Sequence, residues 1–151
     1  MPNLEDYNQP LSDQIVFIVE QGNRLHQDHK WEQALDKYTE AWELLPEPIV
    51  HWDLTEWIAS CKMSIYMDRQ DYQQAHEWAL IAVEAVKDNP RHTSAKINVG
   101  ITCYETGAMS DAYTWFEQAH QFGGARAFQG FDHKYLQFYT QMKQVEKGEV
   151  K

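Results

Sequence analysis

Long apolar runs, basic patches and cysteine pairs are what this chain has least of. No stretch approaches the ~20 consecutive apolar residues that a membrane-spanning helix needs. The opening MPNLEDYNQPLSD is acidic and lacks the apolar segment of a secretory signal, so we expect a cytoplasmic protein. Cys61 and Cys103 are the two cysteines, far apart and without C-x-x-C spacing, which fits reduced packing residues rather than a disulfide or a metal pair. Only seven glycines and five prolines interrupt 151 residues. With abundant Trp, Tyr, Ala and Leu, that scarcity of breakers points to an all-helical chain, of a length that buries roughly two-thirds of its unfolded surface in one domain.

Basic residues are also few. The formal net charge is −10, and residues 1–56 hold twelve acids against three bases, a net of −9, while the rest hold eleven acids and ten bases. Such a field disfavours nucleic acid and anionic membrane and favours a cationic protein partner, besides keeping a small protein soluble. Glu32, Asp36, Glu40 and Glu43 share an outward helical face and form a solvated acidic surface. The chain has no glycine-rich phosphate loop, no G-x-S-x-G and no carboxylate pair in an apolar setting, so we expect no catalysis and no cofactor. His26 and His29 flank a turn without the third ligand a zinc site requires, and His76-Glu77-Trp78 lacks the second histidine of a zincin. No metal is expected.

Periodicity then places the helices. Residues 1–12 carry two prolines and no period, which predicts a flexible arm, with Ser12 or Asp13 capping the first helix. Ile15, Ile18 and Val19 give that helix an apolar face. A second helix runs through Trp31, Ala34, Tyr38, Ala41 and Leu45 at steps of three and four, and Pro46 and Pro48 stop it. A long third helix is expected over about 49–67, its partner from a capping Asp71 to about Lys87, and a last pair over about 92–105 and 110–121. Phe128, Phe131, Tyr135, Phe138 and Tyr139 mark one more amphipathic helix capped by Asp132.

Two of these pairs repeat one pattern. Gly22, Ala34, Tyr38 and Ala41 are matched at equal spacing by Gly100, Ala112, Phe116 and Ala119, with Ala75, Ala79 and Ala82 in a weaker middle copy that has Met63 at the glycine position. On these residues the chain resembles the tetratricopeptide-repeat superfamily over about residues 14–122. The resemblance implies an all-α, right-handed array of three helical hairpins with a C-terminal capping helix. One domain is expected over 13–143, with repeats at about 15–48, 49–90 and 92–124, a capping helix at about 126–143, and a polar tail over 144–151. The segments Leu44–Pro48, Trp52 with Trp57, and Asp132–Leu136 are similar to short stand-alone bacterial proteins of this superfamily, some of which are encoded beside secreted toxins and look like immunity proteins.

The same resemblance assigns the first helix of each pair to a concave groove. That groove is expected to present Val19, Asn23 and His26, then Trp57, Ser60, Ser64 and Met67, then Ile97, Ile101 and Tyr104, and to hold an extended segment or helix of a partner protein. Co-chaperones of the superfamily grip acidic tails with lysine and arginine on this face. Here Asn23 matches one clamp position and Asn98 offers a polar group where an arginine is expected, while Val19, Cys61 and Ser94 occupy the remaining places, so an acidic tail is not the expected ligand. The function read from the sequence is non-catalytic binding of a basic partner, in the manner of an immunity protein, or alternatively a general adaptor or assembly chaperone.

Overall fold

A computed structural model describes residues 2–148. Their α-helices, in chain order, are α1 (Leu4–Tyr7), α2 (Gln9–Gln27), α3 (Trp31–Glu43), α4 (Asp53–Asp68), α5 (Tyr72–Ala85), α6 (Thr93–Glu105), α7 (Met109–Gly123) and α8 (His133–Glu146). Short 3-10 turns occupy Ile49–His51 and Gly124–Phe128. The chain divides into two compact units, Met1–Lys87 and Asp88–Lys151, where the sequence suggests one domain. The first holds the pairs α2/α3 and α4/α5, and the second holds α6/α7 and α8. The division falls where the chain leaves α5 for Asn89-Pro90, a dipeptide that disfavours helix.

Each hairpin turn closes the same way. Lys30 N–H donates to Leu25 O, Asp71 N–H to Tyr66 O and Ala108 N–H to Cys103 O, at 2.8–2.9 Å. The residue before each donor is left-handed: His29 at φ 59°, Gln70 at 58° and Gly107 at 88°. This six-to-one closure satisfies a carbonyl that a helix end leaves open. The three turns are 41 and 37 residues apart, the same steps that separate Ala34, Ala75 and Ala112. The repeat is thus written in the backbone as well as in the side chains.

Within a pair, small residues let the two helices touch. A Cβ placed on Gly22 would stand 2.5 Å from Tyr38 Cε1, and one on Gly100 would collide with Phe116 Cε1. Ala34, Ala41, Ala112 and Ala119 are fully buried. In the middle pair the sizes trade sides: Met63 and Ala79 are both buried and keep the sixteen-residue offset of Gly22 and Tyr38. That exchange explains how a degenerate copy still fills the space between its two helices.

Three boundaries differ from the sequence reading. Residues 4–7 and 9–12 are helical rather than an arm. Asn8, not Ser12 or Asp13, caps α2 by accepting from Leu11 N–H, and Pro10 sits in the first turn, where its missing donor costs nothing. Leu4 is fully buried, and its N–H donates to Asp53 Oδ1 at 2.8 Å, which ties α1 to the start of α4. The residues added before the middle pair lengthen a connection rather than a helix. Trp52 is extended and buried, its Nε1–H donating to Pro46 O at 2.8 Å, so α4 begins only at Asp53. Of the expected polar tail, Gln144–Glu146 complete α8, and residues 149–151 lie outside the described residues.

Two substitutions test this packing in opposite directions. Gly100→Leu forces a side chain into the Phe116 ring and is expected to destabilise the second unit by about 1–3 kcal/mol. Gln70→Gly relieves a left-handed non-glycine residue and is expected to stabilise the first unit by about 1 kcal/mol. Thermal melting followed by circular dichroism reads both. Wild-type stability for Gly100→Leu, or a loss for Gln70→Gly, contradicts the repeat geometry.

Candidate partner-binding face

In the first unit α2 and α4 lie side by side and run in the same direction. Asn23 and His26, one turn apart on α2, meet Cys61 and Asp68 on α4 in that order. Asn23 Oδ1 accepts from Tyr38 O–H at 2.5 Å and from the Cys61 thiol at 3.7 Å, so it joins three helices. His26 Nε2 and Asp68 Oδ2 are 2.6 Å apart. Burial pushes the Cys61 thiol up to about 11, against a lowering by its bond with Tyr38, and the thiol is neutral at physiological pH. Burial likewise raises Cys103.

Six of the expected groove residues remain partly open to solvent in this unit: Asn23, His26, Trp57, Ser60, Ser64 and Met67. Trp57 rests its ring on the core of the unit and keeps an outer edge. Ser60 Oγ–H donates to Glu56 Oε1 at 2.7 Å. Val19 does not line this face. It is fully buried with Ile15 and Ile18, because the side of α2 that carries it turns into the core.

The second unit offers less of the groove. Ile97 is fully buried and Ile101 nearly so, along with Ala95, Val99, Gly100, Thr102 and Cys103. A helix buried on so many sides is an axis of its unit rather than a docking surface. Tyr104 is half-buried, edge-on to Tyr135 at 5.4 Å and to Phe138 at 5.1 Å, so α8 covers it. The cover is fastened by polar bonds. Glu117 accepts from Tyr139 and Lys143 at 3.1 Å, and the Tyr113 hydroxyl, with one hydrogen to give, lies between Glu117, at 2.8 Å, and Glu146. Glu105 pairs with Lys134 at 2.8 Å and accepts from Tyr135 at 2.7 Å. Burial alone would raise both carboxyls. The bonds outweigh it and hold both below the ordinary glutamate range.

Charge follows the same division. The first unit has sixteen acids and six bases, a net of −10, and the second has seven of each. The acidic residues expected on α3 are all exposed. Glu32 pairs with Arg69 and Glu40 with Lys37, which leaves the stripe less bare than its sequence suggests. Lys62 was not anticipated. It is 7 % exposed, donates to Thr39 Oγ1 at 2.9 Å and lies 4.2 Å from the centre of the Trp78 ring. Burial lowers its pKa, partly opposed by Glu43. Its signal was a lysine between Ile58 and Tyr66, on the side of α4 that packs inward. Among the described residues no group of three or more His, Cys, Asp or Glu is placed to hold a metal, and no helix is long and apolar enough to cross a membrane.

No protein-family model matches this chain, and no curated protein matches it. Solved structures do. The N-terminal domain of stress-induced protein-1 from C. elegans aligns with a TM-score of 0.68 over 88% of this chain and 97% of that one, at 16% identity. The first TPR of Spaghetti (RPAP3), bound to the HSP90 peptide SRMEEVD, aligns with a TM-score of 0.65 over 90% and 95%, also at 16% identity. The Sgt2 TPR domain from Aspergillus fumigatus gives 0.62 over 91% and 85%, at 15% identity. At such identities the likeness is one of fold. The architecture is an all-α, tetratricopeptide-like array of three helical hairpins with a C-terminal capping helix.

The two lowered carboxyls make the second unit acid-sensitive. Each binds a proton less readily folded than unfolded, so its stabilisation is complete above the ordinary glutamate range and is lost as pH falls through the lowered folded value. Melting temperature is expected to drop below pH ~4. Glu117→Gln should melt earlier at neutral pH and decline less steeply in acid. An acid profile parallel to wild type would contradict the role of Glu117 in fastening α8.

Proposed function

We propose that the chain is a cytoplasmic, non-catalytic protein-binding module that holds a segment of a partner protein along α2 and α4. The observation that carries this reading is the face made by Asn23, His26, Trp57, Ser60, Ser64 and Met67. These side chains are anchored at their bases by Tyr38, Asp68, Glu56 and the core, yet keep outer surfaces in solvent. A rigid aromatic with small hydroxyls beside it is the composition of a hot spot with its surroundings. Support comes from the likeness in fold to a domain solved with a peptide bound. The peptide named there, SRMEEVD, ends in three acidic residues among its last four, and no lysine or arginine stands among the face residues here to receive them. The partner of this chain is therefore a different kind of segment.

An adaptor or assembly chaperone is the better supported form of this function. A second form, a bacterial immunity-like neutraliser of a basic partner, is favoured by one observation, the charge of −10 concentrated in the first unit, which would speed association with a cationic protein.

Selection from a displayed peptide library against the purified protein tests the binding reading. Selected segments are expected to lose about 2 kcal/mol or more of affinity on Trp57→Ala, with helicity unchanged. Segments that bind wild type and Trp57→Ala equally would place the binding surface elsewhere.

A further inference from the structure

We infer that a cleft where α1 meets the α3–α4 connection receives an arginine side chain of a partner protein, at a site apart from the α2–α4 face and independent of the reading above. The cleft is built from two segments that the repeat does not require. One is α1, which precedes the first hairpin, and the other is the connection over residues 46–53, which lengthens the step to the middle pair. Two bonds clasp them together: Leu4 N–H donates to Asp53 Oδ1 at 2.8 Å, and Asp53 N–H to Pro2 O at 3.0 Å. The cavity between them measures about 620 Å³, room for a long side chain with its flanking backbone. Buried Trp52 forms its floor. Tyr7 leans on that indole at 5.1 Å and 43°, and His51 stands edge-on to it at 5.4 Å. Tyr7 leaves 70 % of its surface in solvent, so packing on Trp52 uses only one side of the ring.

Asp6 and Glu47, one from each segment, also line the cleft. Both are exposed, and among the described residues neither carboxylate enters a hydrogen bond or an ion pair. The described residues that line the cleft include no lysine or arginine. Arg24 lies sixteen residues along α2 from its Asn8 cap, roughly 24 Å away on the helix axis, and Lys30 stands in the turn beyond it. Lys37, Arg69 and Lys87 are paired with Glu40, Glu32 and Glu84, and Lys62 is buried against Trp78. The positive end of α4 is met by Asp53 in its own first turn. Flat rings beside open carboxylates suit a guanidinium, which stacks its plane on an aromatic face and points its N–H groups at carboxylate oxygens. An ammonium has no plane to stack and holds its water more tightly. A free amino acid would bring its α-carboxylate against Asp6 and Glu47, so the guanidinium comes on a polypeptide.

Tripeptides blocked at both ends, Gly-Arg-Gly, Gly-Lys-Gly and Gly-citrulline-Gly, together with free arginine, test this by magnetic resonance titration of the full chain. The arginine tripeptide is expected to shift the Trp52 indole and residues 3–7 and 47–53 with a Kd on the order of 1 mM. The lysine tripeptide should bind at least about fivefold more weakly, and the uncharged citrulline tripeptide and free arginine at least about tenfold. Asp6→Asn with Glu47→Gln alters two exposed, unbonded side chains and should weaken the arginine tripeptide at least about tenfold. Asp36→Asn with Glu40→Gln removes the same charge from α3 and should change nothing. Trp57→Ala should also leave these affinities unchanged, so this test and that of the α2–α4 face fail separately. No shift at the cleft, citrulline or lysine binding as tightly as arginine, or an equal loss in the α3 variant overturns the assignment. Free arginine binding as tightly as the tripeptide overturns the polypeptide source.

Discussion

Everything in this molecule depends on how closely two helices approach within a pair. At Gly22 and Gly100 the first helix presents no side chain, and the ring of Tyr38 or Phe116 lies directly on its backbone. Buried alanines on the second helix keep the separation small along its length. Close contact of this kind maximises dispersion per residue and excludes water from a core built of few large side chains. It also sets the rest of the geometry. Because Tyr38 lies flat on α2, its hydroxyl reaches Asn23, and Asn23 in turn reaches Cys61, which draws α4 alongside α2. The α2–α4 face is a by-product of that chain of contacts.

Charge is partitioned as sharply as packing. One compact unit carries the whole net charge, and the other is neutral and stapled by internal pairs centred on Glu105 and Glu117. Carboxylates used for stability are shielded and hydrogen-bonded, with their pKa values lowered. Those of the first unit are mostly exposed, and pairs such as Glu32 with Arg69 lie at the surface, so they add little to folding. The cost of crowding so many acids is self-repulsion, which salt relieves. Among the described residues of the unit, Lys62, under Trp78, is the one buried lysine or arginine.

The hairpins were legible because their spacing is strict and the residues involved have one plausible use each. A glycine twelve residues before an alanine and sixteen before an aromatic says that two helices cross there. Helix ends were harder. Asn8 was passed over as a cap because the two prolines and the lack of a period hid a helix start, although an Asx residue two before a proline is such a signal. Trp52 was taken into α4 because its spacing suits a helix, but the indole N–H bond to Pro46 O holds it extended. The expected groove was half legible. One projection of the repeat spacing placed Trp57, Ser60, Ser64 and Met67 together with Val19, Ile97 and Ile101; the first four keep solvent-open surface on α4, and the last three do not. All three are apolar β-branched residues, and burial claimed them. Ties between distant residues, such as His26 with Asp68 and Lys62 with Trp78, leave no periodic trace.

The central claim is that α2 and α4 together form the surface that meets a partner. Titrating the isotopically labelled protein with a peptide selected on it from the displayed library, and following its amide and indole resonances, tests that claim at the level of residues. The account predicts shifts at the Trp57 indole and along residues 57–68 and 16–27, with α3 residues 32–43 undisturbed. Shifts concentrated on α3, with the Trp57 indole unmoved, would contradict it.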